Sequence, residues 1–155
     1  MTDLNVRIVK LEPQRVAMSY GFGSGPENIA WEKMLAFIKS KELDKDGQAH
    51  RYFGFNNPNP APGSPNYGYE QWVTIGPNTE PDGDIKIKTF GGGLYAVTRC
   101  KLNNITAAWM ELFTWREKSQ YRAGSHQWLE EAISDPAAKP IDGDSEFDLY
   151  LPIAE

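Results

Sequence analysis

Residues 91–131 read GGGLYAVTRCKLNNITAAWMELFTWREKSQYRAGSHQWLEE. The apolar pattern predicts a strand at Leu94–Arg99, an amphipathic helix from Ile105 to about Lys118, and a second strand at Gln127–Ile133. The predicted helix stacks four apolar residues on one face: Ile105, Ala108, Trp109 and Leu112. Gly91–Gly93 is interpreted as a turn that needs positive φ angles rather than as a phosphate-binding loop. The strand–helix–strand order decides the fold class, which we predict to be α+β.

The rest of the chain repeats this pattern. Trp31 and Trp109 are 78 positions apart, and so are Ile75 and Ile153. The same offset sets the loop at 54–68, which is rich in Pro, Asn and Gly, on a second loop at 132–146. We infer two internal repeats, at about 5–75 and 84–153, each with the order strand, strand, helix, strand, long loop, strand.

One such repeat cannot bury both faces of its own sheet. We therefore expect a single domain over 1–155, in which two βαββ-type units are related by pseudo-twofold symmetry and join their edges into one antiparallel sheet. The two main helices would frame a central cleft, and such internal interfaces are common places for pockets. Whether the loops at 54–68 and 132–146 close over that cleft is left open.

Composition narrows the function. The net charge is -5 and the pI is about 5.1, with Lys and Arg scattered among acids, so we do not expect direct DNA binding. No apolar run approaches the roughly 20 residues that span a membrane, and no signal-peptide pattern is present, so we expect no membrane association and a cytoplasmic location. The single cysteine, Cys100, excludes an internal disulfide.

Aromatic residues are the first candidate site residues. Seven of them fall on predicted strands and helices near the expected cleft: Tyr20, Tyr52, Trp72, Tyr95, Trp109, Trp128 and Tyr150. Each one taken singly is typical of core packing. Taken together, they favour a pocket for flat, lipophilic or cationic ligands, because aromatic faces attract such groups.

Glu130 is the candidate that carries charge. Strand alternation puts Trp128 and Glu130 on one face and Leu129 and Glu131 on the other. The strand is either a solvated edge or holds a carboxylate inside an aromatic pocket, where burial is costly without a partner. A cationic ligand would be such a partner. Alternatively, a raised pKa would make Glu130 a general base.

Other chemistry is poorly supported by the sequence. His50 and His126 are the only histidines, and the neighbours Ser125 and His126 are not oriented for catalysis by adjacency alone. Two histidines without clustered acids make a poor metal set, so we expect neither a metal nor a cofactor.

The runs GGGLYAV, ITAAWMELFTWREKSQYR, HQWLEE and FDLYLPI resemble the GyrI-like effector-binding domain family. That family includes gyrase-inhibitory proteins and the ligand-binding half of AraC-type and MerR-type multidrug regulators. The resemblance implies a duplicated βαββ-type fold with a glutamate in a cleft on the pseudo-twofold axis, and Glu130 is the matching position. Its first-repeat equivalent at the offset of 78 is Tyr52, which implies an asymmetric pocket.

The expected function is therefore small-molecule binding. The chain has no helix-turn-helix pattern, so we expect a stand-alone domain that holds a lipophilic or cationic ligand, with Glu130 as counter-charge. One alternative is a small hydrolase of electrophilic compounds, with Glu130 as general base and Tyr95 or Tyr52 orienting the substrate. A second alternative, by family analogy alone, is a protein inhibitor of a partner similar to DNA gyrase.

Overall fold

The computed structural model describes residues 4–47, 49–57, 59–134 and 141–155. Its two α-helices are α1 (Pro26–Ser40) and α2 (Ile105–Lys118), and short 3-10 helices span Leu43–Lys45 and Leu102–Asn104. Its strands are β1 (Arg7–Leu11), β2 (Gln14–Gly23), β3 (Tyr52–Asn56), β4 (Tyr67–Thr74), β5 (Lys86–Phe90), β6 (Gly93–Lys101), β7 (Arg122–Ala123), β8 (Leu129–Ala132) and β9 (Glu146–Ala154). The strand pairs within each of its two compact units are antiparallel. The predicted α+β class is confirmed.

The described residues form two compact units. The central unit is Gln14–Phe90, and the C-terminal unit combines Gly91–Glu155 with the residues up to Pro13. Neither helix of the described chain is long and apolar enough to cross a membrane. The predicted loop at 132–146 falls partly on 135–140, which lie outside the described residues.

The central unit is a four-stranded sheet with α1 on one face. The strand order is β3-β4-β2-β5. The hydroxyl of Ser19 on β2 donates to the backbone carbonyl of Ala30 on α1 at 2.7 Å, within the buried core. α1 therefore lies on the face that carries Ser19, and on β2 this face also carries Ala17 and Gly21.

The C-terminal unit has the equivalent order β8-β9-β6-β1, and the short strand β7 pairs with the end of β9. α2 has the predicted bounds and buries Ala108 and Leu112. Leu149, Leu151 and Ile153 of β9 are at most 2% exposed and line one face of this sheet. These side chains supply the apolar surface that α2 needs.

The first strand of each sequence repeat belongs to the other unit. β1 pairs with β6 and β5 pairs with β2, so neither repeat forms its four-strand sheet from its own segment alone. Gly92 shows why the chain turns where it does. Its φ is +78°, and a Cβ atom there would lie 2.2 Å from the carbonyl oxygen of Leu11. Only glycine tolerates both the angle and this approach, as predicted for the glycine turn.

Candidate ligand-binding site

Glu130 lies in β8 of the C-terminal unit and is half-buried. It pairs with Leu149 of β9, which in turn pairs with Thr98 of β6, so these three side chains share one sheet face. The indole Nε1 of Trp109 on α2 donates to Oε2 of Glu130 at 3.0 Å. α2 therefore covers the face that carries Glu130. A charge-assisted hydrogen bond of this kind offsets part of the cost of placing a carboxylate among apolar side chains.

Two more aromatic rings adjoin the Trp109 indole. The ring of Trp128 meets it edge-on at 5.4 Å and 83°, and the ring of Phe113, one helical turn further along α2, lies at 6.0 Å and 31°. Trp109 and Trp128 are half-buried, whereas Phe113 is 41% exposed. We call Glu130, Trp109, Trp128 and Phe113 the Glu130 cluster. A carboxylate beside partly accessible aromatic faces suits a lipophilic cation.

A positive charge lies at the other end of the aromatic surface. The guanidinium carbon of Arg116 is 5.6 Å from the centroid of the Phe113 ring. Its Nη1 donates to the carbonyl oxygen of Pro152 on β9 at 3.0 Å, which holds the side chain in place. Trp109, Phe113 and Arg116 stand at helical spacings of four and three residues, so they follow one face of α2.

Cys100 is electrostatically coupled to this site. It lies on the sheet face that carries Glu130, because it alternates with Thr98 along β6. Burial, together with the negative charges of Glu130 and Asp148, raises the pKa of the Cys100 thiol to about 11. The thiol therefore stays protonated at neutral pH and is a poor nucleophile.

Tyr95 and Tyr150 lie on the opposite face of the same sheet. Tyr150 pairs with Val97 and with Leu129, and its hydroxyl donates to Oε1 of Glu131 at 2.6 Å. Tyr95 is fully buried, which raises the pKa of its phenol, and its hydroxyl donates to the carbonyl of Gln127 at 2.5 Å. The expectation that both tyrosines share a surface with Glu130 is corrected by the strand register.

The predicted site residues of the central unit also lie on opposite faces of their sheet. Tyr52 pairs with Val73, which pairs with Ala17, so Tyr52 lies on the α1 face, and its ring is 6.2 Å from that of Trp31 on α1. Trp72 and Tyr20 lie on the opposite face: Trp72 pairs with Met18, and Tyr20 pairs with Glu70. The hydroxyl of Tyr20 donates to the carbonyl of Asn57 at 2.8 Å. The predicted aromatic residues therefore do not line one continuous surface.

Glu70 is a charged residue that the sequence reasoning missed. Glu70 is 6% exposed, and its carboxylate accepts hydrogen bonds from Asn57 Nδ2 at 2.7 Å, Lys88 Nζ at 2.9 Å and Trp72 Nε1 at 3.0 Å. Burial disfavours ionisation, but the three donors outweigh it and hold the pKa of Glu70 below its usual range. Strand alternation of Glu70 with Trp72 in YEQWV was the signal that would have placed them on one face.

The register also corrects the equivalence of Glu130 and Tyr52. Gly54 pairs with Gln71 of β4, and Glu130 pairs with Leu149 of β9, while Gln71 and Leu149 are 78 positions apart. Glu130 therefore corresponds to Gly54, at an offset of 76, because the segment before β8 is two residues shorter than the segment before β3. Trp128, two residues before Glu130, takes the place of Tyr52.

The histidines have structural partners in the fold. Nε2 of His126 lies 2.7 Å from the carbonyl oxygen of Leu94, and the two ring nitrogens of His50 contact Asp46 and the carbonyl of Thr74. Within the described ranges, no group of three His, Cys, Asp or Glu side chains is arranged to hold a metal ion.

A model of the GyrI-like small molecule binding domain matches residues 4–154. The chain belongs to the GyrI-like family. This match confirms the family resemblance drawn from the sequence, and with it the assignment of the chain as a small-molecule binding domain.

Solved structures show that this GyrI-like fold recurs in several settings. The chain is similar to EcmrR in its complex with DNA, with a TM-score of 0.72 and 12% identity, covering 97% of this chain and 57% of that one. It therefore spans little more than half of the EcmrR chain. A hydrolase from Listeria innocua is similar at a TM-score of 0.71 and 12% identity, covering 99% of this chain and 94% of the hydrolase.

A third similar structure contains a ligand. SAV2435 bound to tetraphenylphosphonium has a TM-score of 0.60 and 11% identity, covering 97% of this chain and 94% of that one. Identities this low establish a shared fold alone. A comparison with curated proteins finds no significant match.

Proposed function

We propose that this GyrI-like domain binds a lipophilic organic cation at the Glu130 cluster. Glu130 is the counter-charge, and the rings of Trp109, Trp128 and Phe113 are the walls. The hydrogen bond from Trp109 Nε1 to Glu130 Oε2, at 3.0 Å, is the observation that supports this assignment most strongly. It fixes a carboxylate against an indole on the helix-covered face, where both are half-buried.

The chemistry of the cluster favours a cation over a neutral or anionic ligand. A ligand cation beside Glu130 gains Coulomb attraction that is weakly screened at a half-buried position. The faces of two tryptophans and one phenylalanine add cation–π attraction and apolar contact area. An anion would meet the negative charge of Glu130 directly.

The ligand of a structural neighbour supplies the probe. SAV2435 binds tetraphenylphosphonium, so we propose this cation as a first test ligand, with triphenylphosphine oxide as a neutral compound of similar shape. Isothermal titration calorimetry of both compounds is expected to show saturable binding of the cation and at least tenfold weaker binding of the oxide.

Variants of two glutamates separate a local effect from a change in net charge. Glu130→Gln keeps the size of the side chain and is expected to weaken tetraphenylphosphonium binding about tenfold, as for the loss of a charged partner. Glu111 lies on α2 two positions from both Trp109 and Phe113, so it faces another side of the helix; Glu111→Gln removes the same charge there and should leave affinity unchanged. Equal affinities for the wild type and Glu130→Gln would refute the counter-charge role.

A further inference from the structure

The Glu130 cluster is electrically polarised along α2. The carboxylate of Glu130 lies at one end, next to the Trp109 indole, and the guanidinium of Arg116 lies at the other end, over the Phe113 ring. The two ring contacts between these charges measure 6.0 Å from Trp109 to Phe113 and 5.6 Å from Phe113 to Arg116. A ligand that covers both rings therefore meets a negative group and a positive group.

We propose that this polarity selects zwitterionic ligands, with a lipophilic cation at one end and a carboxylate at the other, over simple cations and dications. This inference rests on the proposed function and specifies its ligand class. The cationic end lies against Glu130 and Trp109, and the carboxylate extends past Phe113 to Arg116.

Arg116 is suited to receive a carboxylate. A guanidinium remains charged at all physiological pH values and offers five N–H donors in a fixed plane. The carbonyl of Pro152 engages Nη1, which leaves the side chain oriented while other donors remain on the same group. Because Phe113 is exposed, a ligand can reach this end of the aromatic surface from solvent.

The same geometry disfavours dications. A second ammonium group at the end of such a ligand would come within a few ångströms of the Arg116 charge, and like charges at that range repel. Met110 extends the apolar surface on the exposed side of α2 and is 64% exposed, but it carries no charge to offset this repulsion.

Three phosphonium compounds that differ only at the chain end test the proposal. They are (carboxybutyl)triphenylphosphonium, its methyl ester, and (aminobutyl)triphenylphosphonium, which are zwitterion, monocation and dication at neutral pH. Calorimetric titration of the full chain is expected to give the order zwitterion, ester, dication from tightest to weakest. Each step should be roughly threefold to fivefold, the size typical of a partly exposed ion pair.

Two arginine variants locate the source of the preference. Arg116→Gln removes the positive charge and keeps a polar side chain, so the three affinities should become equal within twofold. Arg122 is exposed on β7, and Arg122→Gln removes the same charge without altering the order. Thermal denaturation of each variant checks that the fold is retained, and the order in the wild type tests the proposal without any variant.

The outcomes separate this inference from the proposed function. Equal wild-type affinities for the three compounds, with weaker ester binding in Glu130→Gln, would overturn zwitterion selection and leave the cation site standing. An order that persists in Arg116→Gln would also overturn it. If none of the compounds binds, the proposed function and the inference fail together.

Discussion

Gly54 and Glu130 occupy the same position in the sheets of the two units. Gly54 pairs with Gln71 and Glu130 pairs with Leu149, which are equivalent residues of β4 and β9. At Gly54, a Cβ atom would lie 2.2 Å from the hydroxyl oxygen of Tyr69, so the tyrosine fills the volume that the glutamate side chain uses in the other unit. The residue equivalent to Tyr69 is Phe147, which has no hydroxyl. Only the C-terminal unit therefore has a carboxylate at this position.

The first prediction concerns the replacement of Gly54 by alanine. Gly54→Ala forces a methyl group into the ring of Tyr69, which is 5% exposed and cannot move outward freely. We expect the free energy of unfolding to fall by about 1–3 kcal/mol, as is typical of overpacking. Urea denaturation measures it. Gly76→Ala is the control, because a Cβ atom there has no neighbour within 4 Å, and a loss of equal size at Gly76 would contradict the account.

The second prediction concerns pH and Glu70. The pKa of Glu70 is held below its ordinary value of 4.5 in the folded chain, so as the pH falls the unfolded chain takes up this proton first. The stability that Glu70 contributes is present above pH 4.5 and is lost as the pH falls through the folded pKa. Glu70→Gln should be less stable at pH 7, and its stability should depend less on pH below 4.5. Thermal unfolding across pH 3–7 tests this, and parallel curves for the two proteins would contradict it.

The third prediction concerns the buried pair Tyr150 and Glu131. Tyr150→Phe removes the hydroxyl that donates to Glu131 at 2.6 Å, where both residues are under 10% exposed. We expect a loss of about 1–3 kcal/mol in the free energy of unfolding, because a buried carboxylate loses a donor. Tyr121 is half-buried and stacked on Trp115, so Tyr121→Phe keeps the ring contact and should change stability by less than about 0.5 kcal/mol.

The fourth prediction concerns the reactivity of Cys100. Because the pKa of the thiol is raised to about 11, alkylation by iodoacetamide should be slow at pH 7.5 and should accelerate steadily up to pH 10. Glu130→Gln removes one of the two nearby negative charges, so it should lower the pKa and speed the reaction at pH 8.5. Mass spectrometry of the intact protein follows the rate. A rate that levels off near pH 8 would be inconsistent with a buried, protonated thiol.

Local patterns in the sequence predicted much of the fold. The bounds of α2 follow from apolar spacing between Ile105 and Lys118, and Gly92 adopts the positive φ expected of the turn. The exchange of β1 and β5 between the units was not predicted, because strand alternation specifies a face and not a partner strand. The close approach of Gly92 to the carbonyl of Leu11 was not predicted either, because it is a contact between distant parts of the chain.

The candidate site was predicted only in part, again because local patterns do not specify strand pairing. The helical spacing of Trp109 and Phe113 is visible in the sequence, although Phe113 was not among the predicted site residues. Strand alternation correctly predicted that Trp128 and Glu130 share a face. The face on which Tyr95 and Tyr150 lie was not predicted. It depends on the pairing register of their strands, which the sequence pattern does not specify. A uniform offset of 78 also hid the shift of two residues before β8, which only cross-strand pairing reveals.

The central claim is that a lipophilic cation binds beside Trp109 and Trp128, and the indole N–H signals of the five tryptophans report on it directly. Titration of the nitrogen-15-labelled chain with tetraphenylphosphonium, with signals assigned by single Trp→Phe variants, locates the ligand. We predict saturable shifts of the Trp109 and Trp128 signals. The Trp72 signal should stay in place, because this indole is buried on the face of the central sheet opposite α1 and donates a hydrogen bond to Glu70. Shifts confined to Trp72, or no shift at Trp109 and Trp128 at saturation, would contradict the claim.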